Sequence, residues 1–219
     1  MKKHFLVAAA LLAVLAVGFG VVLALSAGGP SSGAVNAEPA TDAQPVRASS
    51  HRLTEPERSE LTVVEFLDFE CEGCGAMYPV VERLREEYQD RVTFVARYFP
   101  MPGHRNSETA ALAVEAAARQ GEFEAMYGKL FDTQPQWGEA KESKAALFRG
   151  YAEELGLDMG KFDSAVDDPA TAERVRTDQR DGLGLGVQGT PTFVVDGAVI
   201  PTPGSYDAFR ELIENRLAR

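Results

Sequence analysis

Phe69-Glu70-Cys71-Glu72-Gly73-Cys74-Gly75 carries the only two cysteines of the chain, in a Cys-x-x-Cys arrangement. The apolar run before it, Leu61-Thr62-Val63-Val64-Glu65-Phe66-Leu67, reads as a strand, and residues 76–88 after it read as an amphipathic helix. Two thiols at a strand–helix junction point first to a redox pair. A pair is too small for a disulfide scaffold. A four-ligand zinc site needs two further ligands, and His4, His51 and His104 are the only imidazoles. No metal is expected.

Working outward, Glu65 stands among Val63, Val64, Phe66 and Leu67, so the strand reads as covered on both faces. Glu65 is then a buried carboxylate beneath Cys71, with a raised pKa, the alternative being an edge strand with Glu65 in solvent. Met77, Val80, Val81, Leu84 and Tyr88 keep helical spacing, and Pro79 is expected to kink that helix. Val92-Thr93-Phe94-Val95-Ala96-Arg97-Tyr98-Phe99 is a second strand, which completes a parallel βαβ unit. After the loop Pro100-Met101-Pro102-Gly103-His104, residues 104–184 show only helical patterns, including a helix over 143–155 with Ser143 as its N-cap. Thr190-Pro191-Thr192-Phe193-Val194-Val195, an Asp196-Gly197 turn and Ala198-Val199-Ile200 form a hairpin, closed by a helix over 205–217. Met101, His104 and Trp137 are either core residues or the lining of a substrate groove. A parallel βαβ unit and an antiparallel hairpin together require a mixed sheet. The fold class is α/β: a thioredoxin fold with a helical insertion between the βαβ unit and the C-terminal ββα unit.

Met1-Lys2-Lys3-His4 is basic, and residues 5–25 then run without a charge. That run exceeds a secretory apolar core of ~7–15 residues and fits a spanning helix of ~17–25. Residues 1–27 therefore read as a membrane anchor, with cleavage at Ala24-Leu25-Ser26-Ala27 as the alternative. Either reading exports the chain beyond Ala27. Residues 28–55, rich in Gly, Ser, Pro and Ala, read as a flexible linker, with an ordered strand near 46–53 as the alternative for its end. Residues 56–219 form the folded domain. The formal charge of -11 excludes a basic face for nucleic acid. No flavin or nicotinamide fingerprint is present, so no bound cofactor is expected.

Several of these residues resemble the DsbA-like family of exported thiol-disulfide oxidoreductases, in its membrane-anchored actinobacterial form. Cys71-Glu72-Gly73-Cys74 follows the first strand, Glu65 matches the family's buried acid, and Thr190-Pro191 matches its cis-proline loop. The loop from Tyr98 to His104 is similar to that after the family's second strand. The resemblance implies an oxidase that makes disulfides in unfolded or reduced exported proteins. It also implies reoxidation by a membrane partner of the DsbB or vitamin-K-epoxide-reductase type. Cys71 is then the attacked cysteine and Cys74 the resolving one. Glu65 is the general acid or base, and Thr190 and Pro191 receive an extended substrate. Glu72 and Gly73 stand between the cysteines where other members carry Pro-His. Arg97 stands near the place of a lysine beside the buried acid, and is expected either to pair with Glu65 or to be solvated.

Glu70 and Glu72 flank Cys71 and disfavour a thiolate, and no cation is evident beside it. The enzyme is therefore expected to be a milder oxidant than Pro-His members. Rival readings are a reductase or isomerase of the same fold, and a tethered chaperone-like module with a structural Cys71–Cys74 bridge.

Overall fold

Leu61–Leu67 (β2) is the central strand, and its apolar run is buried throughout except for Thr62. The computed structural model describes residues 42–219. His51–Arg52 (β1), β2, Val92–Tyr98 (β3), Thr192–Val195 (β4) and Ala198–Ile200 (β5) form one sheet in the order β1-β3-β2-β4-β5. β2 pairs in parallel with β3, Glu65 opposite Ala96 and Phe66 opposite Arg97. On its other side it pairs antiparallel with β4, Glu65 opposite Phe193. Asp196 and Gly197, both at positive φ, turn β4 into β5. The mixed sheet is as expected from the sequence.

Neighbouring residues of a strand point to opposite faces. Val63, Glu65 and Leu67 therefore face one layer, built by Glu72–Tyr88 (α1), the helical block and Tyr206–Leu217 (α7). Val64 and Phe66 face the other, where Val95, Phe99, Val187 and Val194 bury against Val46, Met101 and Leu185. α1 runs through Pro79 without a break.

The helical block comprises Ser107–Ala118 (α2), Phe123–Thr133 (α3), Ala145–Glu154 (α4), Met159–Val166 (α5) and Pro169–Gly184 (α6). α2 packs against the other four, and its buried face of Ala110, Ala111, Ala113, Ala116 and Ala117 lets them approach closely. Phe69, in the loop after β2, packs on Phe131 of α3 at 5.0 Å between ring centroids, and Tyr78 of α1 stacks on the same ring at 5.0 Å. The insertion thus grips the cysteine loop through aromatic contacts. α4 starts at Ala145 with Lys144 rather than Ser143 at its N-cap, because the Lys144 N–H is taken by Asn106 Oδ1 at 2.8 Å. Trp137 is fully buried edge-on to Phe148, so it belongs to the core and not to a groove.

The expected linker over 28–55 needs correction at its C-terminal end. From Asp42 onward the chain is docked, and β1 pairs antiparallel with β3. Arg97 donates to the carbonyls of Gln44 and Pro45 at 3.0 and 2.6 Å, and Arg47 binds Asp181 at 2.6 Å. His51 stacks on Phe123 at 3.9 Å, with its Nε2 2.6 Å from Glu115. These contacts are made by backbone carbonyls and long cationic side chains, which leave no apolar period in the sequence. The expected anchor over 1–27, and the rest of the linker up to residue 41, lie outside the described residues. Among the described residues no helix is long and apolar enough to cross a membrane.

Candidate active site

α1 starts at Glu72, with Cys71 in an extended N-cap conformation and no side-chain cap. The open backbone N–H groups of the first turn therefore lie at the Cys71 sulfur, with the positive end of the helix dipole. Both cysteines are free thiols; Cys71 is partly exposed and Cys74 is fully buried. The Cys71 thiol donates to the Thr190 carbonyl over 3.3 Å, and the Thr190–Pro191 bond is cis. A Cβ on Gly73 would lie 3.2 Å from Pro191 Cδ and 3.6 Å from Cys71 Sγ, so the proline loop packs directly across the thiol pair. The sequence expectation that Thr190-Pro191 walls the site agrees with this geometry.

The loop is held from two sides. Gln134 Nε2 donates to the carbonyls of Phe69 and Cys71 at 2.7 and 2.9 Å. Gly75 leaves room for that carboxamide, since a Cβ there would overlap Gln134 Oε1. On the other side Asp68 accepts from the Glu70 and Met101 N–H groups at 2.9 Å each, and lies 2.6 Å from His104 Nδ1. Neither Gln134 nor Asp68 stands out in the sequence, because one follows a helix and the other ends a strand like any loop-facing polar residue.

The two thiols are driven apart in acidity. Cys71 is lowered to about 5, first by its hydrogen bond from Cys74, then by Thr190 and the backbone N–H groups of Cys74 and Gly73; its partial burial opposes this. Cys74 is pushed up, first by burial, then by its bond with Cys71 and the charge of Glu65. Glu65 is buried and raised to about 8, mainly by desolvation and further by the charges of Glu82 and Cys71. This is the electrostatic pattern of a nucleophile, a resolving thiol and a proton donor.

The flanking glutamates differ from each other. Glu72 is exposed, whereas Glu70 is buried and turned away to accept from the Asn106 N–H at 2.5 Å. His104, in the loop after β3, is bonded to Asp68 on this side of the cysteine loop. Burial pulls its imidazole down, but the Asp68 hydrogen bond and charge, with Cys71 and Glu70, hold it above its ordinary value.

Arg97 also needs correction. It is neither solvated nor paired with Glu65. It lies on the opposite face of the sheet, fully buried, bonded to Asp178 at 2.6 Å and Asp181 at 2.5 Å on α6. The alternation of β3 explains this, because Ala96 and not Arg97 is the register partner of Glu65. Arg97 thus ties β3 to α6 and takes no part in tuning the thiols.

The Thr190 hydroxyl is buried and makes no hydrogen bond; the contact of this residue with Cys71 runs through its backbone carbonyl.

The family model described as Thioredoxin matches residues 56–215. A thioredoxin-like oxidoreductase from Silicibacter pomeroyi DSS-3 is similar, with 26% identity, a TM-score of 0.68, and coverage of 82% of this chain and 98% of that one. Oxidised BdbD from Bacillus subtilis is similar at 25% identity and a TM-score of 0.68, covering 78% of this chain and 94% of that one. Among curated proteins, the Na(+)/H(+) antiporter NhaA of Herminiimonas arsenicoxydans is 38% identical over 164 residues, 75% of this chain and 25% of its own length. The chain spans about a quarter of the length of the curated relatives it matches.

Proposed function

The chain belongs to this thioredoxin family and is a DsbA-like thiol-disulfide oxidoreductase; on that premise we propose that it works outside the cytoplasm as an oxidase. It passes the Cys71–Cys74 disulfide to reduced secreted or envelope proteins. A membrane redox partner of the DsbB or vitamin-K-epoxide-reductase type then reoxidises it. The basic N-terminus and the apolar run over residues 5–25 support export and attachment to the membrane.

The observation that carries the oxidase direction is the place of Cys71 at the uncapped N-terminus of α1, where the Cys74 thiol and the open backbone N–H groups lower its own thiol to about 5. A stable thiolate stabilises the reduced enzyme, so its disulfide gives up its oxidising equivalents readily. In the reaction a substrate thiolate attacks Cys71 Sγ and the S–S bond breaks. Cys74 leaves with the electron pair and takes a proton, for which protonated Glu65 beneath it is the source. A second substrate thiolate attacks the substrate sulfur, a substrate disulfide forms, and Cys71 leaves as thiolate. An extended substrate lies along the Thr190 backbone at the proline loop, as an added strand.

Thioredoxin combines a thiol at about 7 with about -270 mV, and DsbA one at about 3.5 with about -120 mV. Interpolation for Cys71 gives roughly -180 mV, a milder oxidant than the Pro-His type. Equilibrating the full chain in detergent with glutathione buffers measures this. A potential as low as that of thioredoxin, together with Cys71 and Cys74 found mostly reduced by thiol trapping in cells, would overturn the oxidase reading in favour of a reductase.

A further inference from the structure

We propose that His104, held by Asp68, is the positioning cation of the Cys71 thiolate, supplied from the loop after β3 because the Glu72-Gly73 dipeptide supplies none. Asp68 is the hub of the geometry. Its side chain is fully buried, and its Oδ2 lies 2.6 Å from His104 Nδ1. Its own N–H donates to Cys74 Sγ at 3.4 Å, and its carbonyl accepts from the Cys71 N–H at 3.1 Å. One residue therefore touches both cysteines and the imidazole. A buried carboxylate is costly without a cation, and the imidazolium provides it. The His104 side chain is 26% exposed, which lets it exchange its proton with water while most of its ring is shielded.

The groups that face His104 come from its own loop and four other segments. Asp68 at the end of β2, and Glu70 and Cys71 in the cysteine loop, favour the imidazolium. Arg105 beside it, Glu108 on α2 and Arg176 on α6 line the same cleft of about 280 Å³, and all three are exposed. Exposure screens their charges, so the buried acids and the thiolate dominate. The Cys71 charge contributes to the raised imidazole pKa. Coupling between two sites is reciprocal, so the imidazolium lowers the thiol by the same free energy. Ionisation of Cys71, with its proton released to water, is then easier while His104 is charged, and loses that help when His104 titrates.

The inference rests on exchange at Cys71 and not on its direction. The test is His104→Asn in the full chain, which keeps a donor at the place of Nδ1 and removes the charge. The thiolate titration of Cys71 is expected to move up, and the equilibrium constant for reduction by glutathione to fall about threefold to fivefold at pH 6, as for a nearby charge worth about half to one pKa unit. The wild-type constant should also carry an extra pH dependence just above the ordinary histidine range, missing in the variant. His104→Lys, which retains a cation, should restore most of the low titration. An unmoved titration in His104→Asn, or a folded His104→Lys that behaves like it, would overturn the proposal. Thiol trapping in cells tests the direction of electron flow separately, since a chain found reduced there leaves this titration unaffected.

Discussion

Replacing Cys74 with Ser is expected to make the protein a covalent trap for its partners, and replacing Cys71 with Ser to slow exchange by roughly a thousandfold or more. The asymmetry follows from burial and acidity. Cys71 is the sulfur that a macromolecular thiol can reach, and Cys74 is fully buried behind it. Cys71 is also the better leaving group, because its thiol is lowered to about 5 while that of Cys74 is raised. In the Cys74→Ser variant the Cys71 thiolate still attacks a partner disulfide and forms a mixed disulfide. The intramolecular thiol that would release it is gone, so adducts accumulate. Non-reducing gels and the mass of dithiothreitol-sensitive adducts read the outcome. Serine nearly matches cysteine in size, and the loop keeps its anchors on Gln134 and Asp68. Loss of activity is therefore a loss of sulfur chemistry and not of shape. Full activity in Cys71→Ser, with no adducts on Cys74→Ser, would return the pair to a structural bridge on a binding module.

Legibility from sequence followed the physics of each element. The strand, thiol pair and helix were readable because apolar periodicity and Cys-x-x-Cys spacing are local signals. The burial of Glu65 was readable because every neighbour on its strand is apolar, so any sheet position but an edge covers it. The features that escaped depend on partners distant in the chain. Arg97 finds Asp178 and Asp181 on α6, and only the register of β3 decides which face it takes. Gln134 reaches back to the Cys71 carbonyl from the end of α3. His104 is tied to the cysteine loop only through the buried Asp68, 2.6 Å from its Nδ1. Residues 42–50 looked like tether because their docking uses carbonyls and guanidinium groups, which composition does not distinguish from a solvated chain.

Glu65 should give the two redox forms opposite responses to pH. Its folded pKa, about 8, is raised above the unfolded value of 4.5. The native state then holds the proton more tightly, so this stability is complete below pH 4.5 and is lost as pH rises through about 8. The loss approaches about 1.4 kcal/mol per pH unit, or about 3–5 kcal/mol across the window. Cys71 acts in the other direction, but only when reduced. Its folded pKa, about 5, is depressed from 9.0, so its contribution is complete above pH 9 and lost as pH falls through about 5. Because Cys71 is partly exposed, solvent screening reduces that contribution to about 2–3 kcal/mol. In the reduced protein the two slopes largely cancel between about pH 5 and 8. In the disulfide form Cys71 cannot titrate and only the loss at Glu65 remains, set mainly by its burial and lessened by the absence of the Cys71 charge. The oxidised protein is thus expected to lose stability steadily toward pH 8, while the reduced protein changes little. Urea unfolding of both forms at several pH values measures the difference. Glu65→Gln, which removes the ionisation and keeps the shape, should flatten the oxidised curve and stabilise that form at pH 8 by about 3 kcal/mol or more. It should also slow the step in which Cys74 takes its proton, so the gain in stability comes with a loss in turnover. An oxidised wild-type form with constant stability from pH 5 to 8 would mean that Glu65 ionises freely, and it would remove the carboxyl as the proton source for Cys74.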